Sequence, residues 1–379
     1  MKIAHIVGNR PQFIKLSLLH RAWQQKNAGK ALIIHTGQHF SDNMSAIFFE
    51  EFGIPAPDHQ LHINSLPHAE MIGRMLIGLD PILAAERPDM VIVYGDTNTT
   101  LAGALAARKR NIPLAHVESG IRTGKEDMPE ESNRTLTDRL ADLNFACTWL
   151  GRENLLKEGF TPGEEAAIPA TGGETRPIRS RVWQTGDLML DAALLLKDRA
   201  REESTLLQEL SLHDRPFVLA TIHRAENVED PVVLGRILEA LHTINEEIPV
   251  LFPIHPRTRQ IIEKMGLPLR LHHTAPLGYL DMLALVQSAQ YVVTDSGGLS
   301  REAFFFRKPT LVIMQNPFWP EIFAHGACLS APADTSLIHS QWEVLRQYNR
   351  PFQTSLFGDG RAAEKISEIL LTELNRLHA

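Results

Sequence analysis

In this sequence the residues able to move protons or hold anions collect just after short apolar runs. Asn9 and Arg10 follow KIAHIV, and Gly37, Gln38 and His39 follow ALIIHT. Asp96 follows DMVIVYG, and Glu118 closes PLAHVE. In the second half, His223 and Arg224 follow FVLATI, His255 follows PVLFPI, and Asp295-Ser296-Gly297-Gly298 follow YVVT. Two carboxylates and a histidine at the ends of different strands form an acid/base set, because proton transfer needs groups of differing pKa facing one substrate. The stretch TDSGGLSREA adds an anion cradle: its glycine pair admits a close backbone approach, and a helix starting there offers N–H groups and Ser296 to phosphate oxygens. Glu302, one turn further, would repel phosphate but suits vicinal ribose hydroxyls. The same stretch also fits a plain strand-to-helix turn.

Plainer readings accompany each group. In GNRPQFIK, Arg10 and Lys15 flank a helix start at Pro11, as an anion site or as solvated cations. Asp96 in YGDTNTT reads equally as a helix cap, and Glu118 as half of a surface salt bridge. Glu130 and Arg134 in PEESNRTLTDR stand at i, i+4 and could form a surface ion pair worth about 0.3–0.5 kcal/mol. There is no HExxH, no CxxC and no carboxylate cluster at metal spacing, so neither a metal nor another cofactor is expected. Cys147 and Cys328 read as two buried thiols in a reducing compartment.

The elements that must position these residues follow from the alternation of apolar runs with amphipathic stretches, which is the pattern of βαβ units in a parallel sheet. Strands are expected at 2–7, 31–36, 89–95, 113–118, 217–223, 249–255, 291–296 and 309–314. Helices are expected after Pro11 and over MSAIFFEEF, TTLAGALAARKR, PEESNRTLTDRLAD, VVLGRILEALHTINE and AAEKISEILLTELNRL. In the last, Ile366, Ile369, Leu370 and Leu374 share one face. The 379 residues suit two domains at roughly 150 residues each. The fold class is therefore α/β, with two Rossmann-like, doubly wound domains over 1–180 and 181–360. TPGEEAAIPATGGETRPIRS (161–180) reads as an exposed loop or hinge between them. Ligands of such sheets sit beyond the carboxyl ends of the strands, so one large polar site in the cleft between the domains is expected. A net charge of −7 favours neither nucleic acid nor an anionic membrane as partner. No run approaches the roughly 20 apolar residues of a membrane span, and the N-terminus lacks a secretory pattern, so a cytoplasmic protein is expected.

Together, GNRPQFIK, HTGQHF, YGDTNTTLAGALAA, HVESGIRTG, PEESNRTLTDR, TGDLMLDA, TIHRAEN, PLGYLDML and TDSGGLSREA resemble the non-hydrolysing UDP-N-acetylglucosamine 2-epimerases. The matches run almost end to end, and their order and spacing are specific as a set. The resemblance implies the GT-B fold, with the terminal helix, 361–379, crossing back onto the first domain. It implies Asp96, Glu118 and His223 as the catalytic group. Arg10, Lys15, Ser296 and Gly297, with Gly298, would bind the UDP phosphates. Glu302 would bind the ribose and the backbone at Gly278-Tyr279 would face uracil. Glu130 and Arg134 would lie close to the sugar, with Gln38, His255 and Tyr279 also in the substrate site.

The implied reaction interconverts UDP-GlcNAc and UDP-ManNAc. UDP leaves C1 first, which makes the C2 hydrogen removable; a 2-acetamidoglycal forms, and re-protonation from the other face with return of UDP completes the inversion. Asp96 and Glu118 would serve the proton transfers and His223 the leaving group. Family members commonly form homodimers and serve polysaccharide biosynthesis. Ser300 and Arg301 depart from the family pattern, which carries Gln and an acidic residue there. IMQNPFWPE (313–321) keeps only Trp319 and Glu321 in character. The GNRPQFIK and GQHFSDNMS stretches resemble the branch acting on UDP-2,3-diacetamido-2,3-dideoxyglucuronate, where Arg301 would be a welcome cation for a sugar carboxylate. A GT-B glycosyltransferase, a hydrolysing 2-epimerase and a non-catalytic nucleotide-sugar sensor remain as alternatives.

Overall fold

The structure, a computed structural model, describes residues 1–38, 52–125, 127–164, 180–213, 215–315, 318–324, 326–352 and 355–378. The chain forms two compact units: Met1–Ala192 with Phe357–Ala379, and Ala193–Leu356. His39, most of the expected MSAIFFEEF helix and GQHFSDNMS stretch, and 165–179 of the expected hinge segment lie outside the described residues.

The first unit runs β1 (Lys2–Val7), α1 (Arg10–Gln25), β2 (Lys30–His35), β3 (His59–Gln60), α2 (His68–Glu86), β4 (Met90–Tyr94), α3 (Asn98–Lys109) and β5 (Leu114–Ser119). It continues through α4 (Pro129–Leu140), β6 (Leu143–Ala146), α5 (Trp149–Lys157), β7 (Thr161–Pro162), β8 (Arg181–Gln184) and the start of α6 (Leu188–Glu203). The second unit holds α7 (Leu206–Glu209), β9 (Val218–Thr221), α8 (Ala225–Val228), α9 (Pro231–Glu247), β10 (Val250–Pro253), α10 (Pro256–Met265) and β11 (His272–Thr274). It ends with α11 (Tyr279–Ser288), β12 (Tyr291–Thr294), α12 (Gly297–Phe305), β13 (Thr310–Ile313), α13 (Pro320–Ala324), β14 (Cys328–Ala331) and α14 (Thr335–Leu345). Finally α15 (Ala362–His378) returns to the first unit.

Both sheets are parallel, in the orders β3-β2-β1-β4-β5-β6-β8-β7 and β11-β10-β9-β12-β13-β14. Parallel strands are covered on both faces, and the residue-by-residue burial shows why these runs are continuously apolar. Along β9, Val218 and Ala220 join one core with Leu234, Ile237 and Leu241 of α9. Leu219, on the opposite face, joins another with Leu285 of α11 and Ala303 of α12. In the first unit Ile6, Val91 and Val93 pack against Met75 and Leu79 of α2 and Ala102 and Ala106 of α3. Strand order reverses between β1 and β4 and again between β9 and β12, and such a reversal opens a crevice at the carboxyl ends.

The expected strands all form, usually a residue or two shorter at their polar ends. LNFA, RVWQ and CLSA also form strands, too short and too mixed to stand out by pattern. The terminal helix buries Ile366, Leu370 and Leu374 as its periodicity requires, and leaves Ile369 half-buried. It lies beside α1, where Lys26 reaches Glu368 at 3.0 Å, and it buries Glu373 in an ion pair with Arg181.

The chain leaves and re-enters the first unit at one place. Gly186 and Gly358, both left-handed, pack so closely that a Cβ on Gly358 would lie 2.9 Å from Gly186 Cα. Asp187 N–H donates to the Phe357 carbonyl at 2.9 Å, and the Asp191 carboxylate accepts the Ala363 N–H at 2.8 Å. Burial, opposed by the N–H groups of Ala363 and Ala362 but aided by Asp187 and Asp359, pushes the Asp191 carboxyl up to about 6. An ordinary Asp titrates near 3.9, so the folded chain holds this proton more tightly between those values. The stability it contributes is present at low pH and is lost as pH rises through about 6. Asp191→Asn, whose amide oxygen still accepts from Ala363, should therefore stabilise the protein by about 2 kcal/mol at pH 8 and by nothing at pH 4. Thermal denaturation at both values checks this; an equal shift at the two would contradict it.

Candidate functional site

In the first unit the polar residues beyond β1, β4 and β5 form one interlocked group. Asn9 caps α1, accepting the Gln12 N–H at 3.2 Å, with Pro11 in the first turn and Arg10 half-buried as the first helical residue. Gln12 ties two loops together: its Oε1 accepts the Gly8 N–H at 2.7 Å and its Nε2 donates to the Tyr94 carbonyl at 2.8 Å. Gly8 must be glycine, because a Cβ there would fall 2.2 Å from Thr99 Oγ1. Gln38 accepts the Thr99 N–H at 3.0 Å and its hydroxyl at 2.8 Å, so it braces the start of α3.

Lys15 is not a solvated cation. Its side chain is 4% exposed and its Nζ lies 2.6 Å from Glu118 Oε2. The surface salt bridge considered for Glu118 is thus a buried one. Glu118 itself has a φ of 69°, the left-handed region that a non-glycine residue enters at a cost of order 1–3 kcal/mol. The β5–β6 register shifts between Val117 and Ser119, so Glu118 is the residue thrown out of the ladder. Its carboxylate, the Cys147 thiol and the Asp187 carboxylate come within 4.8 Å of one another.

Asp96 does not cap the next helix. Thr97 does, in a reciprocal box with Thr100, and this frees the Asp96 carboxylate to pair with Arg134. The expected Glu130–Arg134 surface pair is corrected as well: Arg134 is buried and its second partner is Glu131, not Glu130. Burial alone would raise the Glu131 carboxyl, but the hydroxyl and N–H of Thr123 together with Arg134 hold it below the usual carboxylate range. Asn133 donates to the Asp96 carbonyl at 3.0 Å. Glu130 stays half-buried at the start of α4. Glu131 was hidden in the sequence by its neighbour: in PEES the two glutamates differ only in which way the first turn points them.

In the second unit the group gathers where β9 and β12 lie side by side. Asp295, fully buried, accepts N–H bonds from His223 at 3.0 Å, Arg224 at 2.9 Å and the Asn227 amide at 3.0 Å. Its Oδ1 lies 3.1 Å from His223 Nδ1. Burial would raise this carboxyl, yet those contacts, His223 first, hold it below its ordinary value. The carboxylate therefore fixes the ring of His223, whose side chain is 43% exposed and offers its other nitrogen outward. His255 caps α10 through Nδ1, its ring centroid 6.2 Å from that of His223. Burial, then His223 and Arg257, lower the His255 pKa and favour the neutral ring that such a cap requires.

Ser296 caps α12, accepting the Leu299 N–H at 3.2 Å, with Gly297 half-buried and Gly298 exposed at the helix start. A Cβ on Gly297 would meet Phe318 at 2.8 Å. Trp319 Nε1 donates to the Gly297 carbonyl at 2.9 Å, and the Arg301 guanidinium lies 4.7 Å over the Trp319 ring. Arg301 is 4% exposed, so it braces the glycine turn through Trp319. Glu302 is half-buried one turn into α12, and Tyr279 is buried as the first residue of α11. Asp295 meets His223 because β9 and β12 are adjacent, while Phe318 and Trp319 reach the glycine turn from the stretch after β13.

Each unit thus holds its own constellation: carboxylates paired with buried cations in the first, and a histidine beside a capped, glycine-opened helix in the second. A family model described as UDP-N-acetylglucosamine 2-epimerase matches residues 21–371. The chain is 42% identical to a UDP-2,3-diacetamido-2,3-dideoxy-D-glucuronate 2-epimerase of Pseudomonas aeruginosa, over 98% of this chain and 99% of that one. It is 37% identical to a UDP-N-acetylglucosamine 2-epimerase of Methanocaldococcus jannaschii, over 98% of this chain and 99% of the relative. The crystal structure of Methanocaldococcus jannaschii UDP-GlcNAc 2-epimerase in complex with UDP-GlcNAc and UDP superposes with a TM-score of 0.85. The identity is 36%, over 98% of this chain and 100% of that one. The two parallel α/β sheets are those of a GT-B-like fold. Among the described residues no helix is long and apolar enough to cross a membrane.

Proposed function

Because the chain belongs to the UDP-N-acetylglucosamine 2-epimerase family and is a UDP-sugar 2-epimerase, an isomerase, we propose that it inverts C2 of a UDP-2-acetamido sugar by expelling UDP and adding it back. The observation that carries this is the pair Asp96 and Glu118 at the ends of adjacent strands, each facing a buried cation, Arg134 or Lys15. Inversion at C2 needs one group to take the proton and another to return it from the opposite face. Two separately held carboxylates supply that; a glycosyltransferase has no use for the second.

Arg10, Ser296, Gly297 and Gly298 hold the diphosphate through helix-start N–H groups and charge. His223, fixed by Asp295, assists the departing UDP. Glu302 takes the ribose hydroxyls and Tyr279 the uracil end. Lys15 serves through Glu118, Arg134 through Asp96, and Gln38, Glu130 and His255 line the sugar. The sugar is UDP-2,3-diacetamido-2,3-dideoxy-D-glucuronate, supported by the 42% identity to the Pseudomonas enzyme. UDP-GlcNAc is the second reading, supported by the Methanocaldococcus relative at 37%. The product retains UDP, and the protein works as a homodimer.

Incubation with each UDP-sugar in D₂O, followed by NMR at C2, tests the proposal. Deuterium at C2 with UDP still attached is expected, fastest with the uronate. Faster exchange with UDP-GlcNAc would overturn the choice of sugar, and free sugar with UDP would mean hydrolysis. No exchange with either sugar would remove the inversion mechanism for both.

A further inference from the structure

His116 lies on β5 two residues before Glu118 and is fully buried. Its Nδ1 is 2.7 Å from Asp138 Oδ1 and its Nε2 is 2.7 Å from the Gly95 carbonyl oxygen. A carbonyl oxygen only accepts, so Nε2 carries a hydrogen. Asp138, also fully buried, accepts the Gly120 N–H at 3.2 Å and Arg122 at 2.7 Å on Oδ2, which is how a carboxylate behaves. Nδ1 therefore donates to Oδ1, and the ring carries a hydrogen on both nitrogens. Arg122 in turn binds Glu158 at 2.7 Å, which Arg139 also approaches at 3.6 Å.

This chain joins two backbones. Gly95 is the residue before Asp96, with φ 63°, and a Cβ on it would lie 3.7 Å from Glu118 Oε1 and 3.8 Å from Lys15 Nζ. Gly120, φ 79°, is two residues after Glu118 and is pressed so tightly on Gly151 that a Cβ would sit 2.1 Å from its carbonyl oxygen. The strained backbone of Glu118 is thus clamped on one side by the Asp138–Gly120 bond. The loop that presents Asp96 is clamped by the His116–Gly95 bond.

We propose that His116, doubly protonated, and Asp138 are positioning residues that set the spacing of Asp96 and Glu118; the proposal rests on these two carboxylates being the proton-transfer groups. Neither positioning residue touches the sugar. They act by holding Gly95 and Gly120 where the two carboxylates reach opposite faces of C2, and a displacement of about 1 Å costs such a reaction about 10²-fold.

The test compares Asp138→Asn and His116→Gln with the wild-type protein, and with Asp96→Asn and Glu118→Gln, by C2 deuterium exchange and by UDP affinity in calorimetry. The expected result for both positioning variants is kcat lowered 10- to 100-fold, with KM and UDP affinity within threefold of wild type. Exchange within twofold of wild type in a folded positioning variant overturns the proposal. So does loss of kcat and UDP affinity in the same proportion, which is what general loosening gives. If Asp96→Asn and Glu118→Gln themselves keep full exchange, the assignment of the proton-transfer groups fails, a result distinct from failure here. Where neither variant folds, ¹⁵N-histidine NMR of the wild-type protein decides. A slowly exchanging ring with hydrogen on both nitrogens is expected, and its absence overturns the proposal.

Discussion

Glu118→Gln and Asp96→Asn each lower C2 exchange by about 10²–10⁴-fold while UDP remains bound, the range that removal of a positioned acid or base produces. The glutamine amide keeps the length of Glu118 and its place beside Lys15, and the substitution leaves the left-handed backbone as it was. The asparagine keeps the shape of Asp96, and Arg134 retains Glu131. What changes is the ability to take or return a proton. The loss therefore belongs in kcat, with UDP affinity preserved because the helix start at Ser296 and the Asp295–His223 pair are untouched. Both variants retaining exchange within tenfold of wild type would refute the assignment of either carboxylate. Loss in only one would leave the other group as a spectator.

The second large effect concerns stability. Arg134→Met should destabilise the first unit by about 3–5 kcal/mol, because it leaves the Glu131 carboxylate, 11% exposed, and the Asp96 carboxylate, 28% exposed, without the buried guanidinium between them. Glu131 is held below the usual carboxylate range in the native protein. Its contribution is therefore present above the unfolded value, near 4.3, and is lost as pH falls through the lower native value. The penalty of Arg134→Met should be full at pH 8 and smaller at pH 4, where protonated carboxyl groups no longer need the guanidinium. Urea denaturation at the two pH values measures this. A penalty below 1 kcal/mol, or one independent of pH, would show that the pair contributes little.

The long apolar runs were legible in sequence because parallel strands buried on both faces leave no polar residue in their middles, as MVIVY in β4 illustrates. The strand-end positions of Asp96, Glu118, His223 and Asp295 followed from the same runs. The partners did not. Lys15 and Glu118 are separated by most of the first sheet in sequence and meet only because β1, β4 and β5 lie side by side. The choice of Glu131 over Glu130 depends on the direction of one helical turn. The cap could have been Asp96 or Thr97, and the Thr97–Thr100 box decides it through hydrogen bonds that composition does not encode. Arg301 reads in sequence as an extra cation that a sugar acid would welcome, and its burial against Trp319 depends on a loop after β13 that no local pattern places.

The first unit is discontinuous: it begins at Met1, breaks off at Ala192 and is completed by Phe357–Ala379. On the ribosome, the unit whose synthesis starts first is therefore the last to be finished. Until α15 emerges, Arg181 on β8 lacks Glu373 and the α1 surface lacks its cover, while residues Ala193–Leu356 are already a contiguous stretch able to collapse on their own. Vectorial synthesis thus runs against the usual N-terminal-first order. The nascent first unit spends the translation of the second with Arg181 still lacking Glu373 and with part of α1 uncovered.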